Sequence, residues 1–592
     1  MIKLERLRGS GAVSNLMNYT FPKRSIPAKI FGFVFILGTV LASAAAEERR
    51  FQSAPLNPAY LQYLETLRFR PAAAAAELPG TPAGHPLGKR PSPVKPFVVS
   101  RPSGVRPSNA AASQAAYDLR DYDRVTSVKD QGSCGDCWAF GAMGSLESYF
   151  KPGETLDLSE ADLNANSGFD FGFCNGGNNY MSAAYMARWS GPLPEASSEV
   201  VKHAQNMVFI PLRSGPADND GIKSALLEYG GLSVAFRYAD ADYNAANHAF
   251  YANLSTSSYS SNHVVTIVGW DDAFPKASFN AVPPGDGAFL VKNSWGTAWG
   301  DAGYFHVSYY DGIFGRDDYT TAFTGEASSN YSRVYSYDKL GWVADFTYGT
   351  TTAWFSNIFT ALGNEGLSAA GFYTNDAATN YTIYIYTGVT AGQPTSGTLA
   401  YSASGSFTSP GYHTVPVGYV GVGAGQLFSA VVKVTNASYA FPIPAEAQDA
   451  GYSSQAAASG KSYTSADGAV WDALTGVPAG DPTNAALKVY AVSKPPAGTV
   501  TLTDNLFRPQ KDPAVKCQVA VTIFAAGTVT VKAYTMNGAL VRTIYSGPQG
   551  AGTTNYSWDG KTDNGNFVAS GLYLVNTKGP STNTTEKVVV IR

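Results

Sequence analysis

Cysteine is scarce in this sequence: 592 residues hold four, Cys134, Cys137, Cys174 and Cys517. So few cannot staple a chain of this length, and folding must rest mainly on apolar burial. Three lie close together and Cys517 stands apart, which fits one bridge, one working thiol and one stray. Charge is low as well, with 15% charged residues and a net charge of -3. Without a basic excess, nucleic acid is not an expected partner. Zinc helix motifs, P-loops and dinucleotide fingerprints are missing, and no cofactor is expected. The Asp-rich stretches Asp218-Asn219-Asp220-Gly221 and Asp559 to Asp563 miss calcium-loop spacing, read as turns, and leave no metal site. Long apolar runs are also missing. The one candidate, Ile30 to Ala46, has about 17 residues, short of the roughly 20 a comfortable span needs. Lys23, Arg24 and Lys29 precede it, and small residues Ala42-Ser43-Ala44 close it. It reads as a secretory signal cleaved near Ala44 or Ala46, with Met17 as the more ordinary start. The mature chain is therefore expected to be secreted or at the cell surface, with no transmembrane span.

What is present is a hydrophobic fraction of 44%, with 60 glycines and 36 tyrosines. That is enough to bury cores, and the length implies two to four domains. Residues 1–46 form the signal peptide, and 47–114 a Pro- and Ala-rich pro-segment or linker. The latter has one short helical stretch around Tyr60 to Phe69 and little to bury. Residues 115–328 have a globular pattern. Residues 329–493 carry short alternating runs such as Tyr381–Tyr386 and Leu427–Lys433 between turn residues, the pattern of a β-sandwich. A linker at Lys494–Gly498 opens a last all-β unit, 494–592, with a hairpin turn at Met536-Asn537-Gly538.

The run Gln131 to Phe140, QGSCGDCWAF, is the most informative stretch. Cys134-x-x-Cys137 fits a zinc half-site, a redox pair or a nucleophile. Zinc lacks a second Cys or His pair, and redox lacks a βαβ setting. As a nucleophile, Cys137 stands where a Gly-containing turn meets a helical stretch, and a helix N-terminus favours thiolate. Its own N–H and the Gln131 amide are placed to receive an oxyanion. A cysteine nucleophile needs a base, and the base needs an orienting group. His263 opens the apolar run VVTIVGW, so it stands at the start of a buried strand. His248, the one competitor, precedes no such strand. Asn293 can accept from one imidazole nitrogen while the other faces sulfur.

The decapeptide resembles the active-site signature of papain-like cysteine peptidases, and three further segments follow in the family's order. Leu158-Ser159-Glu160 with Cys174-Asn175-Gly176-Gly177 resembles the cleft-lining segment, Asn262 to Trp270 the catalytic-histidine strand, and Lys292 to Gly300 the asparagine segment. The resemblance covers about residues 115 to 325. It implies an α+β, two-lobed peptidase with a helical lobe and a β-barrel lobe, followed here by two all-β sandwich domains. It implies catalytic Cys137, His263, Asn293 and Gln131, and polypeptide substrates lying along Gly176 and Gly177 as an added strand. Val264, with Ala235, lines the main specificity pocket, and Trp295 shields the His263–Asn293 bond. Cys134 bridges to Cys174. Asn164-Ala165-Asn166 stands where many relatives carry a second bridging cysteine, so that disulfide is missing. The interval from His263 to Asn293 is longer than the family pattern, and its excess is a Pro/Gly-rich loop. The pro-segment is short of the family's long helical propeptide and is expected to occupy the cleft as an extended strap.

Residues 329–493 resemble more loosely the lectin-like domain of bacterial relatives, and Trp342, Tyr348 and Trp354 cannot be assigned to sugar stacking from spacing. The last domain resembles the hook-capping immunoglobulin-like domain through Trp558-Asp559-Gly560 and Gly571-Leu572-Tyr573. Its end, Lys587 to Arg592, resembles strands that serve as sorting signals, and Cys517 there reads as a buried small residue. The expected function is a secreted cysteine endopeptidase with a glycan or cell-surface contact through the β tail. The rival is a surface adhesin or carbohydrate binder with a vestigial peptidase fold.

Overall fold

Two glycines inside one helix set the geometry of the molecule's centre. In a computed structural model that describes residues 51–69, 80–81, 84–96, 114–476, 482–493 and 497–592, the helix Cys137–Phe150 carries Gly141 and Gly144 on one face. A Cβ at Gly141 would lie 2.6 Å from a Val264 methyl, and one at Gly144 2.8 Å from the Thr266 hydroxyl. Each glycine costs the helix about 1 kcal/mol relative to alanine. In return the helix backbone presses directly on the strand His263–Asp271.

That strand lies between Leu232–Phe236 and Ala288–Lys292 in an antiparallel sheet, with His263 opposite Phe236. All its residues but the last are buried, which is why it reads as a continuous apolar run rather than an alternating one. Tyr304–Ser308 continues the sheet on one side, and Thr320–Ala327 then Lys202–Ile210 on the other. This is the β lobe. Helices Glu160–Asn166 and Asn179–Ala187 join the Cys137 helix in the other lobe. Ser159 caps the first of them by accepting from the Asp162 N–H at 3.3 Å, and Asn178 caps the second through the Tyr180 and Met181 N–H groups.

The sheet does not stop at the β lobe. Gly411 and Tyr412 pair with Val208 and Met207, so the strand Gly411–Val422 extends it into the sandwich. Glu365–Thr374, Leu487–Val492 and Arg333–Tyr335 follow. A six-stranded sheet containing Thr379–Thr387 and Leu427–Asn436 faces it, matching the two strands expected there. One apolar core runs from Met143 and Tyr185 of the helical lobe through Phe209 and Trp342 to Phe372 and Val432 of the sandwich. The sandwich is therefore built into the peptidase region rather than hung from it. Trp342 and Tyr348 are buried in that core, which excludes them as exposed sugar platforms, while Lys433 lies 4.9 Å over the half-buried Trp354 ring.

Residues 497–592 form two further sheets around a separate core in which Phe507, Trp558 and Val588 are buried. Cys517 is fully buried in it, as a small apolar residue. The expected hairpin is present, and its turn passes through the left-handed region at Gly538, whose φ is 82°.

The described residues of the 47–114 segment bury more than its composition suggests. Gln52–Ser53 adds a short strand to Ala344–Thr347 of the sandwich. The helix Pro58–Phe69 places Tyr60, fully buried, against Tyr452, with its hydroxyl donating to Asp449 at 3.2 Å. Residues 1–46, expected to be a signal peptide, lie outside the described residues, as do linker residues 494–496. No helix among the described residues is long and apolar enough to cross a membrane.

Candidate active site

The register between helix and strand decides what meets what. Gly144 faces Thr266 and Gly141 faces Val264. One helical turn back is Cys137, and one residue back on the strand is His263. Cys137 is the first residue of its helix, and backbone hydrogen bonds with Val264 and Gly88 reach its thiol. His263 is fully buried, and its Nε2 lies 2.9 Å from Asn293 Oδ1. Its Nδ1 is buried with no hydrogen-bond partner among the described residues. Asn293 Oδ1 also accepts from the Ser294 N–H at 2.9 Å, which fixes the amide's orientation. Trp295 stacks on the imidazole at 4.7 Å and is braced edge-on by Trp299 and Tyr238. That packing keeps water from the His263–Asn293 bond.

Gln131 points its amide nitrogen at Cys134 O, 2.7 Å, and Pro86 O, 3.2 Å, while its Oε1 accepts from Ser294 Oγ at 2.6 Å. Ser294 thus touches both Asn293 and Gln131. No sequence pattern marked it beyond its place beside the asparagine. The Cys134–Cys174 disulfide is formed. Asn164, where a second bridge is missing, takes over part of that work. Its Nδ2 lies 3.2 Å from Cys134 Sγ and 3.4 Å from Asp136 Oδ2, and its Oδ1 accepts from the Cys174 N–H at 3.4 Å. Asn164→Ala is expected to lower stability by about 1–3 kcal/mol, because it strands buried polar groups around the bridge. Urea unfolding of the oxidised protein would check it; a change within about 0.5 kcal/mol would refute the role.

The strap runs through the cleft. Gly177 N–H donates to Gly88 O at 2.9 Å and Gly177 O accepts from the Arg90 N–H at 2.7 Å, so Lys89 pairs in parallel with Gly177. A Cβ at Gly176 would lie 2.5 Å from Gly88 O, and one at Gly177 2.4 Å from the Trp138 ring. Gly176 lets the strap backbone approach, and Gly177 leaves room for the Trp138 ring. His85 stacks on the Trp295 ring at 5.0 Å, and Leu87 is buried. Asn178 and Asn179, beside the glycines, are structural. Asn178 shares hydrogen bonds with the Tyr452 hydroxyl, and Asn179 with Thr321 and Ser233. Val264 and Ala235 are both buried, and Val264 packs under the Cys137 helix.

The strap also sets the electrostatics. Burial pushes the Cys137 thiol up to about 12, against the backbone hydrogen bonds that pull it down. Burial likewise pulls His263 down to about 4, although the Asn293 bond pulls it up. A thiolate favoured by the helix terminus is what the sequence suggests. With the strap in place burial wins, since a rise from 9 to about 12 is about 4 kcal/mol and a helix terminus supplies at most about 2. Thiol and imidazole are both neutral at pH 7 in this covered state.

Residues 113–316 match the model of the papain family cysteine proteases, residues 334–491 the lectin like domain, and residues 511–582 the FlgD Ig-like domain. Among curated proteins, a cathepsin L-like peptidase of Aedes aegypti is 31% identical over 217 residues, 34% of this chain and 61% of that one. Cathepsin K of Gallus gallus is 30% identical over 224 residues, 34% of this chain and 62% of that one. The chain thus spans less than two thirds of the length of these relatives. Among solved structures, the cysteine protease and lectin-like domains of Cwp84, a surface layer associated protein of Clostridium difficile, superimpose with a TM-score of 0.58. They share 22% identity, covering 75% of this chain and 98% of that one. Cwp84 C116A after propeptide cleavage gives a TM-score of 0.51 at 22% identity, covering 64% and 99%. At that identity the likeness is one of fold.

Proposed function

We propose that this chain, which carries a papain-family cysteine protease domain with a lectin-like domain and an FlgD-type immunoglobulin-like domain behind it, is an exported cysteine endopeptidase made as a strap-covered precursor. Its layout is a signal peptide at 1–46, a pro-segment at 47–114, the peptidase at 115–328, the lectin-like sandwich at 329–493 and the immunoglobulin-like domain at 494–592. The observation that carries the reading is the His263 Nε2–Asn293 Oδ1 bond at 2.9 Å, which engages one ring nitrogen and leaves Nδ1 without a hydrogen-bond partner among the described residues.

Once the strap is gone, Cys137 Sγ passes its proton to His263 Nδ1 and attacks the substrate carbonyl. The oxyanion is held by the Cys137 N–H and the Gln131 amide, which Ser294 orients. His263 protonates the leaving amine as the C–N bond breaks, giving an acyl-enzyme, then takes a proton from water as water attacks the thioester. The C–S bond breaks, the carboxylic acid leaves and His263 returns the proton to Cys137 Sγ. Substrate backbone takes the place of the strap along Gly176 and Gly177. Trp295 offers the face that His85 occupies to the residues after the scissile bond. The β tail holds the enzyme near a glycan or cell surface outside the cell.

Labelling by a thiol-directed peptidyl epoxide tests this. Chain freed of its pro-segment should take up one equivalent at Cys137, and Cys137→Ala should take up none. Equal labelling of the two, or none in the trimmed wild type, would sink the peptidase reading.

A further inference from the structure

Lys89 is the residue of the strap that lies directly opposite Gly177, one residue from the glycine whose backbone covers the sulfur. Its own N–H donates to Asn262 O at 3.0 Å. Its side chain leaves the cleft floor and is almost wholly buried, and its Nζ pairs with Asp318 Oδ2 at 3.0 Å. Asp317 lies beside it. One oxygen of Asp317 accepts from the Ser261 N–H at 2.5 Å, and the other is buried with no hydrogen-bond partner among the described residues. Burial pulls the Lys89 ammonium down, but the two carboxylates outweigh it and leave it above its ordinary value.

A buried carboxylate whose cation is removed costs several kcal/mol, so an ion pair of this kind is broken only where something replaces it. Strap removal takes Lys89 away and leaves Asp317 and Asp318 in place. What then enters the same space is the substrate side chain opposite Gly177. The strap runs parallel to Gly177; in a substrate that runs the opposite way, with its scissile residue over Cys137, the side chain entering that space is that of the residue just before it. We propose that Asp318, assisted by Asp317, makes this pocket select lysine or arginine at the position preceding the residue whose carbonyl is attacked, and that Lys89 is the chain's own occupant of it. The inference rests on the peptidase reading and adds to it the substrate class. The apolar residues Val264 and Ala235 do not supply this selectivity.

The test uses fluorogenic peptides that differ only at that position, Lys against Leu, with the full chain after pro-segment removal. The expected kcat/KM ratio favours Lys by about 30-fold or more, and Asp318→Asn lowers that ratio at least tenfold while the Leu peptide is still cleaved. Asp318→Asn keeps the oxygen that accepts from the Tyr319 N–H, and Asp317→Asn serves as a second variant. Equal or faster cleavage of the Leu peptide by the wild type would overturn the proposal, as would a ratio unchanged in both variants. A binding arm separates this from failure of the peptidase reading. Trimmed Cys137→Ala should bind a synthetic peptide of residues 80–96, and Lys89→Leu in that peptide should weaken binding at least tenfold. Binding unaffected by Lys89→Leu overturns the pocket assignment whether or not any peptide is hydrolysed. A Lys89-dependent peptide affinity together with unlabelled Cys137 would keep the pocket and reject the peptidase.

Discussion

Cys137→Ala in the trimmed chain should cut peptide hydrolysis by a factor on the order of 10^5–10^6, to the uncatalysed background, the size seen when a nucleophile that acts as a unit with its base is removed. Asn293→Ala should cost far less. Asn293 contributes one neutral hydrogen bond to the imidazole, worth about 1–3 kcal/mol when its loss strands a buried group, or about 5- to 150-fold in rate. The two variants therefore separate chemistry from orientation. Initial rates on one peptide, with circular dichroism to verify the fold, decide it. If Asn293→Ala were as dead as Cys137→Ala, the amide would be doing more than holding the ring. If Cys137→Ala kept more than about a thousandth of the rate, another nucleophile would be at work.

The second large effect concerns the strap. With the thiol pushed up to about 12 by burial, very little of it is thiolate at pH 7 in the covered chain. A freed cysteine at a helix terminus beside a histidine falls in the activated range, where most of it is thiolate. Nucleophilicity per thiolate drops as its basicity drops, which returns part of that gain. The net expectation is epoxide labelling at least about 10^2-fold faster in the trimmed chain at pH 7. The pH profiles differ in shape too. An acid whose pKa is raised ionises late, so the covered chain should label about tenfold faster per pH unit between pH 7 and 10. The trimmed chain should be nearly flat over that range. Stopped-time labelling read by intact mass measures both. Equal rates at pH 7 would remove the strap as an inhibitor, and parallel profiles would remove burial as its means.

The candidate reacting groups stood out because they lie in short local runs, and the structure places Cys137 at a helix start, His263 at the head of an apolar strand and Asn293 before a tryptophan pair. The Lys89–Asp318 ion pair was not legible, because the two residues are far apart in sequence and meet only through the tertiary path of the strap. Asn164 was visible as a missing cysteine, yet its hydrogen bonds to both bridged residues depend on where the Glu160–Asn166 helix packs. The strands of the sandwich were legible from alternation. Their continuation into the β lobe was not, since pairing partners across a sheet leave no mark in either strand's own pattern. The Pro and Ala content of the 47–114 segment concealed its few anchoring side chains, Tyr60, Leu87 and Val94, each buried.

The shared sheet has a consequence for how the molecule can be divided. A cut after residue 328 looks natural in the sequence, yet it would strip Trp342 from Tyr180 and Phe209, which it contacts at 5.4 and 5.9 Å. It would also remove Tyr452 from Asn178, the residue that follows the cleft glycines. The fragment left behind would present a bare aromatic face beside a strand with an uncovered end, the combination that drives edge-to-edge association. The smallest soluble unit of catalysis in this chain is thus the peptidase together with its sandwich, and a shorter piece should precipitate rather than simply lose its tail.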